Sequence, residues 1–506
     1  MPGRLHLHGQ PDALHPPRRV CGLRRLRAGL SGRGDLLRGR HAREVEGVLQ
    51  RQRGLLRGSR LTRWCVEDRQ DRQGPPDRRR VAAAGERALS IPPDSVQSAP
   101  AVCSRTESGS LRLPTYPWDT LTEYRARAQA HPDGLVDLSI GTPVDPVPAV
   151  IQAALAAASD SPGYPLTHGS PELRAAVVGW LARRHGVTGL APDAVLPTIG
   201  SKEFIGGLPR LLGLGAGELV VYPELAYPTY DVGVRLAGAE GWAADSLTAI
   251  GPRRVGLVWI NSPANPTGRV LPSEHLRKIV AWARERDVVV ASDECYLELG
   301  WEGTPVSVLH ESVSGGRHDN VLAVHSLSKR SNMAGYRAGF VAGDPALIAR
   351  LLEVRRHAGM IVPAPVQAAM AAALADDTHA DLQRDRYAAR RAALRAAVTA
   401  AGFRVEHSEA GLYLWMTRDE DCWASVAALA DLGILVAPGS FYGPRGARHV
   451  RIALTATDER VAAAVARLIE QTGDLVPHGE QREAAVEKHR PPDHDQPAAS
   501  EADLAR

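Results

Sequence analysis

The stretch 326-SLSKRSNMAGYRAGF-340 sets one lysine, Lys329, among small hydroxyl residues, with Arg337 eight positions on. Only four lysines occur among the 61 basic residues of the chain: Lys202, Lys278, Lys329 and Lys488. Arginine serves nearly everywhere else as the cation. A guanidinium does not give up its proton, whereas an amine does when its surroundings are tuned. A lysine retained here marks chemistry that uses a free amine, and the plain alternative is a surface cation left by codon bias. Lys329 lies between two β-rich runs, 321-VLAVHS-326 and 338-AGFVAG-343, and the pattern on either side decides between these readings.

Working outward, short β-rich runs alternate with helical stretches from about residue 112 to about residue 472. The runs are 195-VLPTI-199, 219-LVVYP-223, 255-VGLVWI-260, 287-DVVVAS-292, 321-VLAVHS-326 and 338-AGFVAG-343. Between them, 273-SEHLRKIVAWARER-286 places Leu276, Ile279, Val280 and Ala283 on one helical face, with Ser273 as its expected cap. Such alternation predicts an α/β fold with a mostly parallel sheet. A long helical tract follows over 362–401. The segments 411-GLYLWM-416, 425-SVAALADLG-433 and 449-HVRIALTA-456 then predict a smaller α+β domain. The expected organisation is an N-terminal arm and part of the small domain over 109–148, a large domain over 149–377, and the rest of the small domain over 378–473.

Composition bounds the class. A net charge of +4, with 23% charged and 44% hydrophobic residues, fits a soluble globular protein with flexible additions. Five scattered cysteines with no CxxC pair indicate neither a thiol metal site nor a disulfide framework, and point to a reducing, cytoplasmic setting. No secretory h-region or membrane-length apolar run is present. Residues 1–108 are rich in arginine, lack lysine and sustain no period. They read as a disordered or non-native extension. A nucleic-acid arm is the other reading of the arginine clusters, but aromatic interleaving and a known motif are missing, so neither a nucleic-acid nor a membrane partner is expected. The 474–506 tail reads as disordered.

The motifs come in a fixed order: 200-GSKE-203 after a strand, 222-YPELAYPTY-230, 265-NPTG-268, 293-DECY-296, 326-SLSK-329 with Arg337, and Arg451 in 448-RHVRIAL-454. Each alone reads equally well as a turn, a cap or a surface charge. Together, over about 112–472, they resemble the class I/II, fold-type I pyridoxal-phosphate aminotransferases. The resemblance implies a large domain with a mostly parallel sheet, pyridoxal 5′-phosphate at the carboxyl ends of its strands, and cytoplasmic homodimers with shared active sites.

It also implies residue roles. Lys329 forms the Schiff base and then acts as general base and acid at the substrate Cα. Asp293 pairs with the pyridine nitrogen, and Tyr296 and Asn265 donate to the ring hydroxyl oxygen. Glu294, next to Asp293, is excluded because alternate strand residues point to opposite faces. Ser201, Lys202, Ser326, Ser328 and Arg337 cradle the phosphate, and Tyr227 stacks on the ring. Arg451, Gly141 and Asn265 bind the substrate α-carboxylate. Tyr164 reaches the phosphate of the neighbouring subunit. Lys202 as a solvated lysine, Tyr227 as a core tyrosine and Tyr164 as a loop residue of its own subunit are the plainer alternatives.

The wording of 113–148, 261-NSPANPTGRVLP-272 and 435-LVAPGSFYGPRGARHVRIALTAT-457 resembles actinobacterial succinyldiaminopimelate transaminases. This implies amino transfer from glutamate to N-succinyl-2-amino-6-oxopimelate in lysine biosynthesis, with Ser440, Arg445 and Arg448 as candidate donors to the distal groups. Aspartate, alanine or methionine aminotransferases, and a carbon–sulfur lyase of the same fold, share the cofactor set. A catalytically silent DNA-binding regulator is the alternative of another class, and the intact site residues speak against it.

Overall fold

The computed structural model describes residues 113–474, so the expectations for 1–108 and for the tail beyond 474 lie outside them. All six β-rich runs become strands of one seven-stranded sheet. Its order is Val195–Ile199, Ala338–Gly343, Val321–Ser326, Val289–Asp293, Val255–Asn261, Leu219–Tyr222 and Glu240–Ala243. Every neighbouring pair is parallel except the two made by Ala338–Gly343, which runs against both of its neighbours. The mostly parallel α/β architecture is therefore present.

That reversed strand positions the site. The other strands finish at one edge, where Asn261 pairs with Asp293, Ser326 with Gly339 and Ile199 with Ala338. The start of Ala338–Gly343 lies at that same edge. Arg337, which precedes a strand, thus meets residues that follow strands, in agreement with the rule that ligands sit beyond the carboxyl ends.

Three local expectations are corrected. The Glu240–Ala243 strand has no counterpart in the expected runs, because all four of its residues are exposed and carry no alternation. Ser273 is the first residue of the Ser273–Glu285 helix rather than its cap. The cap position is Pro272, which has no side-chain bond to offer, although Leu276, Ile279, Val280 and Ala283 are buried on one face. The 362–401 tract is two helices, Ala364–Ala375 and Thr378–Ala400. Asp376 between them is extended, and its carboxylate accepts from Thr378 N at 3.0 Å. An Asp side chain that bonds the backbone two residues on supplies such a turn.

The buried side chains form separate clusters. One, on a face of the large sheet, runs from Ile151 through Val290 and Phe340 to Leu374. A second, on the opposite face, includes Phe204, Tyr230, Ile348 and Leu351. Another gathers Leu121, Val136 and Leu138 with Leu394, Tyr413, Ile452 and Leu468. This last cluster is built around a four-stranded antiparallel sheet, in order Ala437–Pro438, Val450–Ala453, Tyr413–Thr417 and Arg404–Glu406. Val136–Asp137 pairs in parallel with Ile434–Leu435 beside it. No helix among the described residues is long and apolar enough to cross a membrane.

Candidate active site

A cavity of about 260 Å³ opens at the carboxyl edge of the large sheet, against the small antiparallel sheet. Its lining includes Gly141, Ser201, Lys202, Tyr227, Asn265, Asp293, Tyr296, Ser326, Ser328, Lys329, Arg337 and Arg451. Every residue expected to hold the cofactor or the substrate α-carboxylate, except Tyr164, is therefore brought to one place; the candidate distal donors Ser440, Arg445 and Arg448 are not among the lining residues. Tyr164 is 99% exposed and does not line this cavity.

Lys329 stands on a single helical turn, Leu327–Arg330, whose cap is Ser326, with its Oγ accepting from Ser328 N at 3.1 Å. The next residue anchors that turn: Arg330 is buried, pairs with Glu298 and donates to Ala373 O. Asp293 ends its strand and is buried. Its carboxylate accepts from the Tyr230 hydroxyl at 2.9 Å and from Cys295 N at 3.2 Å. Both donors are neutral, and burial pushes the carboxyl above the ordinary carboxylate range. Glu294 points the other way, as the strand period predicts, and accepts from Val308 N at 2.7 Å.

On the opposite wall, Ser201 and Lys202 open the Ser201–Leu211 helix after Gly200. At Gly200 a side chain would meet the Arg337 guanidinium, since an added Cβ would lie 2.4 Å from Nη2. Its φ of +73° with ψ of 160° is a conformation open essentially to glycine alone. Lys202 Nζ lies 5.5 Å from the centre of the Tyr116 ring, and burial with Arg337 nearby lowers its ammonium pKa. Tyr227 is packed edge-on to Tyr230, its phenol pushed up to about 12 by burial.

Arg451 comes from the antiparallel sheet. It is 2% exposed, donates to Asn265 Oδ1 and to Ser139 O at 2.8 Å each, and has no carboxylate partner among the described residues. Its Nε is buried without a hydrogen bond. A buried guanidinium without an anion is costly, and this one faces the cavity.

These features suit pyridoxal phosphate. A buried carboxylate with only neutral donors fits a cationic ring nitrogen, a helix start beside Arg337 fits a phosphate, and Lys329 between them fits the aldehyde. Several lining residues escaped the sequence reading: Tyr116, Trp118, Ile140, Thr142, Cys295 and Tyr413, as did Tyr230 behind Asp293. Tyr230 belongs to 222-YPELAYPTY-230 and could have been found there. Cys295 lies inside 293-DECY-296, and the others carry no motif of their own in the sequence.

The family model for aminotransferase class I and II covers residues 133–468. The chain belongs to that aminotransferase family. A probable aminotransferase of Mycobacterium tuberculosis is 60% identical to this enzyme over 417 residues, 82% of this chain and 98% of the relative. The 4-dedimethylamino-4-oxo-anhydrotetracycline transaminase of Streptomyces rimosus is 63% identical over 356 residues, 70% of this chain and 99% of that one. Among solved structures, a probable N-succinyldiaminopimelate aminotransferase of Thermus thermophilus superposes with a TM-score of 0.64 at 29% identity. That likeness covers 70% of this chain and all of the other. The protein is thus a pyridoxal-phosphate-dependent aminotransferase acting on amino-acid and 2-oxo-acid substrates.

Proposed function

We propose that this aminotransferase exchanges the amino group of an ordinary α-amino acid with a 2-oxo acid, with Lys329 moving the proton at the substrate Cα. The carrying observation is the convergence on one cavity of an amine, a buried carboxylate and a buried guanidinium without an anion: Lys329, Asp293 and Arg451. When bound, pyridoxal phosphate supplies the carbonyl that takes up the amino group and the ring that accepts electrons from Cα.

The chain's own groups do the rest. Arg451 offers a planar fork to the α-carboxylate, its Nη1 already steered by Asn265 and its Nη2 by Ser139 O. Asp293, fixed by Tyr230 and the Cys295 amide, would hold negative charge at the ring nitrogen. Tyr296 and Asn265 would donate to the ring hydroxyl oxygen. Ser201, Ser326, Ser328 and Arg337 would hold the phosphate end. Once the substrate is fixed at both ends, its Cα proton is presented to the Lys329 amine, which returns a proton later in the turnover.

The side-chain subsite favours an unmodified amino acid over a succinylated one. The residues expected to meet a succinyl carboxylate are occupied elsewhere: Arg445 pairs with Glu224 and Asp245, Arg448 with the Asp419 carbonyl, and Ser440 with Cys422 Sγ. None of them lines the cavity. In their place stand Tyr116, Trp118 and Ile140. One observation supports the dicarboxylate alternative: Lys202 lines the cavity with no acidic partner among the described residues.

The test is a donor panel on purified enzyme with 2-oxoglutarate as acceptor, comparing methionine, alanine, aspartate and N-succinyl-LL-2,6-diaminopimelate. The expected result is a higher kcat/KM for one of the unmodified amino acids. A preference of about tenfold or more for the succinylated donor would overturn that choice. Lys329→Ala is expected to abolish turnover while the protein stays folded.

A further inference from the structure

We propose that Tyr413 is the positioning residue that ties the carboxylate clamp to the ring-oxygen donor, using its ring for Arg451 and its hydroxyl for Tyr296. The inference rests on the carboxylate role given above to Arg451 and on the role of Tyr296 toward the cofactor ring.

Tyr413 begins the Tyr413–Thr417 strand, and its side chain lines the cavity. Three site residues meet it. The Arg451 guanidinium carbon lies 3.8 Å from the centre of its ring, and Tyr442 lies on another side of that guanidinium at 4.9 Å. The Tyr413 hydroxyl is 3.1 Å from the Tyr296 hydroxyl, with the rings edge-on at 5.7 Å. An added Cβ at Gly141 would lie 2.4 Å from the same hydroxyl oxygen. The missing side chain of Gly141 is therefore the space that the Tyr413 hydroxyl fills.

The chemistry follows from the two contacts. A guanidinium held over an aromatic face is attracted by the ring quadrupole and keeps its plane without a carboxylate that would compete with substrate. Neutral aromatic support suits a cation whose anion arrives and leaves at each turnover. A hydroxyl pair has one bridging proton. With Tyr296 turned toward the cofactor oxygen as donor, its own oxygen accepts from Tyr413, and such a chain strengthens the second donor. Asp293 and Cys295 face Tyr296 from its own segment. Tyr227, Tyr387, Tyr442 and Arg451 approach the pair from the other elements, and Lys329 shares the cavity. Substitution of Tyr413 leaves all of these in place.

Two variants of the holoenzyme separate the two functions. Tyr413→Phe keeps the ring and loses the hydroxyl. It should move the pH midpoint of the cofactor's visible band upward by ~0.3–0.5 unit, because a weaker Tyr296 donor favours the protonated form. Binding of the α-methyl analogue of the best donor, followed by the same band, should change less than about threefold. Tyr413→Leu removes the ring and should weaken that binding by about tenfold or more. Thermal denaturation of each variant reports the fold. An unmoved midpoint in Tyr413→Phe overturns the proposal, and this variant, which preserves the packing, decides alone if the leucine variant does not fold. Arg451→Lys is measured beside them. If it binds the analogue as wild type does, the carboxylate reading fails and this proposal with it. If Arg451→Lys weakens binding and a folded Tyr413→Leu does not, only the role of Tyr413 is overturned.

Discussion

Asp293 and Glu294 are consecutive carboxylates with different surroundings. Asp293 lines the candidate cofactor cavity, where a cationic ring nitrogen would answer its burial. Glu294 faces the interior. It accepts from Val308 N, Ser307 and Ser292 lie beside it, and His325 Nε2 is 3.4 Å away. Burial pushes the Glu294 carboxyl up to about 7. The same burial holds His325 well below the usual imidazole range, so no charged imidazolium answers the carboxyl near neutral pH. Unfolded, the carboxyl returns to about 4.3. Between those values the folded chain keeps a proton that the unfolded chain has released. The contribution of Glu294 to stability is thus full below the lower value and is lost as pH rises through about 7. Glu294→Gln does not ionise. Its urea midpoint, measured against wild type at fixed protein concentration, is expected to rise steadily from about pH 4.5 to pH 7 and then level off. The contribution of His325 is present in both proteins and drops out of that difference. A flat difference would mean that Glu294 titrates normally in the fold.

At the scale of elements, the site is a row of strand ends, which explains both what the sequence disclosed and what it withheld. Strands buried on both faces read as continuous Val, Ile and Leu runs, so six of the seven were legible. The Glu240–Ala243 edge strand is exposed and has no such run. Asp293, Ser326 and Lys329 were legible only together, through the ordered motifs 293-DECY-296 and 326-SLSK-329 and the family they resemble. Tyr413 was not, because a tyrosine in 411-GLYLWM-416 has the composition of core, and only the pairing of its strand with Val450–Ala453 sets it beneath Arg451. The junction after Val195–Ile199 gives a sharper case. Gly200 joins that strand to the Ser201–Leu211 helix in a backbone conformation that disfavours other residues, and Arg337 occupies the space where a side chain would be. Gly200→Ala is therefore expected to destabilise the fold by about 1–3 kcal/mol. It should also weaken pyridoxal-phosphate binding by about tenfold or more, because the guanidinium must retreat from the helix start. Fluorescence titration of the apoenzyme with the cofactor measures the second effect. Unchanged affinity would place the phosphate away from Arg337.

At the scale of the whole molecule, the question is how much chain, and how many chains, make one site. The Streptomyces relative is matched over 99% of its length by 356 residues of this chain, whereas the mycobacterial one matches over 417, a wider stretch than the described residues occupy. Among the described residues, those that line the cavity begin at Tyr116. A chain beginning at Gly109 is expected to fold and to transaminate at the wild-type rate, as steady-state kinetics would show, and lost activity would give the first 108 residues a part in the structure. The second question turns on Tyr164, which projects 99% exposed from its own subunit and lines no part of its own cavity. A large side chain so placed suits a site completed by a second copy, with the phenol reaching the phosphate of the neighbour. In a two-fold dimer each cavity would then combine Lys329 from one chain with Tyr164 from the other. Complementation tests this directly. Lys329→Ala and Tyr164→Ala chains, each of low activity as a homodimer, are mixed, dissociated and reassembled. Half of the resulting dimers carry one chain of each kind. In those, one cavity has lost both residues and the other has kept both, so activity should return to about a quarter of the wild-type value. Recovery that fails although native mass spectrometry shows mixed dimers would confine Tyr164 to its own subunit.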